Sequence, residues 1–260
     1  MKNKVIIQGI LWDDKSSFSK GPAQAPPKIR EALNSGASNY YSENGTLING
    51  DQILDKGDFK IEDYFEIETI TSNNTEKSSK LLTLGGDHSI SYPVIKALCK
   101  NFSKIDILHI DAHSDLYDNY EGDPYSHACP FARIMELGIV DRLVQVGIRT
   151  LNPHQLEQAK QFGVEIHPMN DLRLDKISEF KNPLYISLDI DAFDPAFAPG
   201  ISHLESGGLT ARDVIGLIQN LRANVFAADI VEYNPLKDIN DITAYLAAKM
   251  YKEIIAKMLA

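Results

Sequence analysis

Short apolar runs recur along the chain, each passing through a polar turn into an amphipathic stretch: VIIQG at 5–9, LLTLGG at 81–86, IDILHID at 105–111, RLVQVGIR at 142–149, LYISLDID at 184–191 and VFAADIVEY at 225–233. Continuous runs of this length predict strands buried on both faces, as in a parallel sheet. Between them, PPKIREAL (26–33), SISYPVIKALCK (89–100), PHQLEQAKQF (153–162), TARDVIGLIQNL (210–221) and ITAYLAAKMYKEIIAKML (242–259) predict helices. The alternation predicts a doubly wound or barrel-like α/β fold. Segments 42–60 and 71–80, rich in Asn, Ser, Gly and Asp, read as surface loops. No linker or composition shift divides the chain, so residues 1–260 are expected to form a single domain.

Composition changes this picture little. The net charge of −10 is spread along the sequence without a basic block, which argues against nucleic acid as a partner. An acidic surface suits solubility and can also attract a small cationic ligand. Cys99 and Cys129, both in helical or pre-helical segments, make no disulfide framework, so a reducing cytoplasm is the expected location. No apolar stretch approaches membrane-spanning length and no export signal is visible, so neither membrane nor anchor is expected.

The chemistry lies where the acids and histidines fall. In open parallel sheets, ligands bind beyond the carboxyl ends of the strands, and three of the predicted strands end in such clusters. Gly85-Gly86-Asp87-His88-Ser89 is weak alone, since a turn histidine is more often a capping residue. Asp111-Ala112-His113-Ser114-Asp115 is stronger, because its i, i+2, i+4 spacing turns all three polar residues to one side of an extended chain. Charge so concentrated at a buried strand end is costly unless cations compensate it. Asp189-Ile190-Asp191 repeats the i, i+2 spacing, although one of its carboxylates could instead cap the next turn. Together His88, Asp111, His113, Asp115, Asp189 and Asp191 exceed the needs of one zinc; an oxygen-rich set with a minority of imidazoles suits two divalent ions, Mn²⁺ favoured. Two ions roughly 3.5–4 Å apart can deprotonate a water at neutral pH. Glu232 is then a candidate partner for a cationic substrate and His127 for proton transfer. Without the metal cluster both would read as ordinary structural residues.

GGDHS, DAHSD, SLDID followed by DP, and DIVEYNP resemble, in order, the signature motifs of the ureohydrolases, the arginase and agmatinase family. SSFSKGPAQAPPKIREAL, YSHACPFARIME, DPAFAPGISHLESGGLT and TAYLAAKM resemble the plant-type arginases in particular. The resemblance implies a three-layer α/β/α fold with a mainly parallel eight-stranded sheet, a binuclear manganese centre, and hydrolysis of a guanidinium to urea and an amine. It implies that His88, Asp115 and one oxygen each of Asp111 and Asp189 hold one ion. His113, Asp191 and the other oxygens of Asp111 and Asp189 hold the second. It implies further that Glu232 binds the guanidinium, His127 shuttles protons, Asp229 supports from behind, and the chain forms homotrimers or homohexamers. Animal-type members read the amino-acid end of arginine with asparagines, where this chain has Tyr117 and the SHACPF stretch. Tyr117, Asp118, the loop 119–125 and His203 are candidates for that end of the pocket, and Arg149 or Arg173 for receiving a substrate carboxylate. His109 and His167 read as core or strand-end histidines.

L-arginine to L-ornithine is the favoured reaction; agmatine to putrescine, guanidinobutyrate and free guanidine are alternatives. Outside this class stand a dinuclear metallophosphoesterase, which needs further downstream histidines and basic residues, and a non-catalytic metal-binding protein, which needs neither His127 nor Glu232.

Overall fold

The computed structural model describes residues 4–76, 79–177 and 179–260. Eight strands, β1 (Val5–Leu11), β2 (Ile53–Lys60), β3 (Lys80–Leu84), β4 (Ile105–Ile110), β5 (Val140–Ile148), β6 (Glu165–Pro168), β7 (Leu184–Asp189) and β8 (Val225–Val231), form one sheet in the order β2-β1-β3-β8-β7-β4-β5-β6. Every ladder is parallel.

Alternate strand residues feed two separate cores. Ile7, Leu82, Leu108, Val146, Leu188 and Ile230 face α1 (Ala25–Leu33), α6 (Ala211–Asn220) and α7 (Ile242–Leu259). Ile6, Leu81, Ile107, Leu143, Tyr185 and Ala227 face α2 (Glu66–Asn74), α3 (Ser91–Cys99), α4 (Pro130–Glu136) and α5 (Pro153–Phe162). The period of two therefore makes a three-layer α/β/α molecule from strands that are apolar on both sides.

All six strands expected from apolar runs form, and α5 and α7 have the bounds their amphipathic patterns mark. The two edge strands escape that criterion. β2 lies inside the expected 42–60 loop, because an edge strand pairs on one side only and its ILDKGDFK carries solvent-facing charges and a bulge-forming Gly57. α2 likewise runs into the expected 71–80 loop; residues 77 and 78 lie outside the described residues.

Sheet order fixes what meets at the carboxyl edge. Ile110 pairs with Leu188, Leu188 with Ile230, and Ile230 with Leu84, so the ends of β4, β7, β8 and β3 are level and adjacent. Gly86 closes the turn after β3: a Cβ there would sit 1.6 Å from the Trp12 carbonyl oxygen. Gly86→Ala is expected to cost ~3 kcal/mol or more through forced displacement of backbone. Gly216→Ala, at an open position within α6, should stabilise by about 0.5–1 kcal/mol. Urea unfolding midpoints moving in these opposite directions check both expectations.

Candidate metal centre and pocket

His88 opens the turn after β3, held by Asp87, whose carboxylate accepts the Ser89 amide at 3.1 Å and the Lys15 amide at 2.9 Å. Its imidazole Nε2 meets the Ser187 hydroxyl at 2.9 Å, and Ser187 donates to Asp229 at 2.7 Å. Asp229 also accepts from Ser91 at 2.6 Å and Tyr185 at 2.7 Å, a fully buried network that fixes the ring. The opposite nitrogen, Nδ1, is buried without a hydrogen-bond partner among the described residues. It stands 3.1 Å from a carboxylate oxygen of each of Asp111, Asp115 and Asp189.

A second group stands beside the first. His113 Nδ1 lies 3.0 Å from Asp191 and 3.5 Å from Asp111. The six residues singled out by spacing thus converge at the ends of β3, β4 and β7, with Asp111 between the two imidazoles. His109 joins them: its Nε2 lies 2.6 Å from Asp111 Oδ2. It is buried in β4, as a core histidine would be; the one sequence signal for this contact is the period of two that directs it to the Asp111 side.

Electrostatics make the cluster untenable as bare carboxylates. Burial, with the charges of Asp191 and Asp111, pushes Asp189 well above the usual carboxylate range, and burial raises Asp191 too. Burial opposes Asp111 as well, but His109, His113 and His88 hold it well below. An unpartnered buried imidazole nitrogen among three carboxylate oxygens is a donor set for cations, and the residues fit a metal.

The backbone stores strain here. Asp115 (φ 50°) and Glu232 (φ 61°) both adopt the left-handed conformation, which costs a non-glycine residue on the order of 1–2 kcal/mol. That bend after β8 turns the Glu232 carboxylate back to accept the His88 amide at 2.9 Å and to meet His127 Nδ1 at 2.8 Å. Burial lowers His127, but Glu232, with Asp87 and Asp115 behind it, outweighs burial and lifts the imidazole to about 9. The Ser17 amide, 3.2 Å from Nε2, favours the neutral ring instead; an Nδ1–H donated to Glu232 is common to both forms.

A pocket opens above the cluster, lined by Tyr117, His203, His127 and Glu232 as expected, by Tyr120 from the expected loop 119–125, and also by Ser17, Thr150 and Gln155. Asp118 is not among the lining residues: its carboxylate pairs with His154 at 3.0 Å on the outer surface. Arg149 is tied to the carbonyls of Asp191, Ala192 and Glu205, and Arg173 pairs with Asp171; neither is among the residues lining the pocket. His167 sits in edge strand β6 beside Glu165. Ser17 and Gln155 carried no signal in the sequence, since loop folding and the first turn of α5 bring them over the pocket.

Fold and cluster together define a buried His/Asp site that could hold metal, on the carboxyl edge of a parallel α/β sheet. The Arginase family model matches residues 3–256. "Arginase 1, mitochondrial" of Arabidopsis thaliana is 43% identical over 99% of this chain and 82% of its own length. The arginase structure from Medicago truncatula superposes with a TM-score of 0.93 at 42% identity, covering 99% of this chain and 88% of that one. Agmatinase of Bacillus cereus is 32% identical over 98% of this chain and 91% of its own length. The chain belongs to the arginase family, whose members are metal-dependent and act on guanidino C–N bonds. Several plant relatives of this similarity are named mitochondrial or chloroplastic/mitochondrial, and that overturns the cytoplasmic expectation. The cysteine argument failed because few disulfides report a reducing environment, not which reducing compartment.

Because the folded value of His127 lies above the ordinary 6.5, its pairing stabilises the metal-free protein fully below about pH 6.5, and the stabilisation is lost as pH rises through about 9. The melting-temperature gap between wild type and His127→Asn, both metal-free, should therefore narrow from pH 6 towards pH 9.5; a gap that is constant or widens contradicts the assignment.

Proposed function

We propose that this protein hydrolyses a small guanidino compound to urea and an amine, L-arginine to L-ornithine being the favoured reaction, with two Mn²⁺ ions bound. The observation that carries this reading is the Glu232–His127 pair at 2.8 Å, set on the pocket side of a cluster with two imidazole-centred ligand groups. His88, Asp115, Asp111 and Asp189 would hold one ion; His113 and Asp191, with Asp111 and Asp189 shared, would hold the other. When bound, such a pair of cations supplies Lewis acidity and lowers the pKa of a water to near neutrality.

The remaining work falls to this chain's own groups. The Glu232 carboxylate, buried and held below its ordinary range against burial by His127, offers a charge partner for the guanidinium. A water oxygen bonds to the guanidinium carbon, the bond from that carbon to the alkylated nitrogen breaks, and both protons of the water end on the departing nitrogen, so that neutral urea and an alkylammonium ion leave. His127 is placed to carry one of these protons, because its Nε2 lies 2.8 Å from the Ser17 hydroxyl at the pocket wall. Asp115, whose carboxylate faces both His88 and the pocket, supports the same centre.

Greater similarity to plant arginases than to agmatinase supports arginine. One observation favours agmatine: among the described residues no Lys or Arg lines the pocket, so a substrate carboxylate would meet only neutral donors such as Tyr117, Thr150 and Gln155, and His203. We also propose that residues 1–260 act as one ureohydrolase domain and assemble as a homotrimer or homohexamer. The exposed Leu236, Ile239, Ile242 and Tyr245 around the start of α7 support a buried interface, which light scattering on the purified protein checks.

Purified protein with Mn²⁺ should release urea from arginine or agmatine, and His113→Ala or Asp189→Ala should abolish it. Glu232→Gln should lower kcat/KM by roughly 100-fold or more, as loss of one member of a buried charge pair does. Full metal content with no urea from arginine, agmatine, guanidinobutyrate or guanidine contradicts the proposal, and the ranking of kcat/KM across the four identifies the substrate.

A further inference from the structure

Asp111 is gripped at both oxygens. Oδ1 accepts the His113 amide at 2.6 Å, and Oδ2, 3.1 Å from His88 Nδ1, also meets His109 Nε2 at 2.6 Å. Which form of His109 makes that contact follows from its other nitrogen. Gln145 Nε2 donates to the Ser114 carbonyl at 2.6 Å, and Gln145 Oε1 accepts the Ser114 hydroxyl at 2.9 Å. Rotating the amide would set two carbonyl oxygens against each other, so its orientation is determined. The same Nε2 lies 3.1 Å from His109 Nδ1, which must therefore be an acceptor. The ring is left with its proton on Nε2, directed at Asp111. His109, Gln145 and Ser114 are fully buried, and His109 stacks on Phe131 with centroids 3.8 Å apart.

We propose that His109 is a positioning residue for the metal centre: locked by Gln145 as the Nε2–H tautomer, it uses one lone pair of Asp111 Oδ2 and fixes the carboxylate plane so that Asp111 faces both imidazole-centred ligand groups at once. The inference rests on the reading of Asp111 as a ligand shared by two cations. Hydrogen bonds that orient ligating carboxylates typically govern metal affinity by 10–100-fold. Among the described residues no other side chain donates to Asp111 Oδ2 from the interior of the sheet, so the role falls on His109.

Mn²⁺ titration of the metal-free protein, followed by the electron paramagnetic resonance of free Mn²⁺ and by the exchange-coupled signal of a dinuclear site, tests this apart from activity. Wild type should bind two ions and give the coupled signal; if it binds none or one, the underlying reading fails, not the role of His109 alone. His109→Phe keeps an aromatic ring against Phe131 but no donor, and should weaken binding of one ion by about 10–100-fold with loss of the coupled signal. His109→Gln restores an N–H donor and should recover most of that affinity. If packing alone mattered, His109→Phe would bind like wild type and His109→Gln would be the worse of the two; either result overturns the proposal. Gln145→Met leaves His109 and Asp111 in place and frees the tautomer. A smaller loss in the same direction supports the lock, and wild-type binding overturns it even if His109→Phe fails to fold.

Discussion

Four carboxylates crowded with one buried and one half-buried imidazole at the ends of adjacent strands repel one another and forfeit their hydration, and the rest of the molecule is arranged around that cost. The sheet order brings β3, β8, β7 and β4 together, so residues far apart in sequence end level on one edge. Desolvation without compensation would force protons onto these groups, as the raised Asp189 and Asp191 indicate. Divalent cations, bound as proposed, would remove the problem and give the cluster a use. Asp229 with its three hydroxyl donors, and Asp87 with the Lys15 and Ser89 amides, spend buried hydrogen bonds on holding one ring, that of His88.

Much of this was legible in the sequence because buried parallel strands and ligand spacing both leave local patterns. DAHSD and SLDID put their acids on one face by the period of two, and all six ligand candidates do converge. What escaped was of another kind. The edge strands β2 and β6 pair on one side only and so need no apolar alternation. Asp118 belongs to the same run as Tyr117, yet only tertiary placement sends Tyr117 to the pocket and Asp118 to His154 outside it. Arg149 has the right charge for a substrate carboxylate but is consumed by backbone carbonyls. His109 was hidden by its burial, since an apolar setting and a polar contact can coexist in one side chain.

The pocket divides into a determined end and an adjustable end. At the metal side buried hydrogen bonds fix the ligand side chains and strained backbone holds Asp115 and Glu232 in place, as pre-organised sites require. At the mouth, Ser17, Tyr117, Thr150 and Gln155 come from loops and a helix start, where substitution alters recognition without disturbing the sheet. Differences among guanidino-hydrolysing relatives in the tail of their substrates are therefore expected at the mouth, and shared chemistry at the floor.

The proposed chemistry depends on two cations occupying the cluster. Diffraction from crystals grown with Mn²⁺, collected on both sides of the manganese absorption edge, measures this directly. Two anomalous peaks, one against His88 Nδ1 and one against His113 Nδ1 with Asp111 and Asp189 reaching both, are expected. A single peak, or peaks away from these side chains, would contradict the binuclear centre and the chemistry built on it.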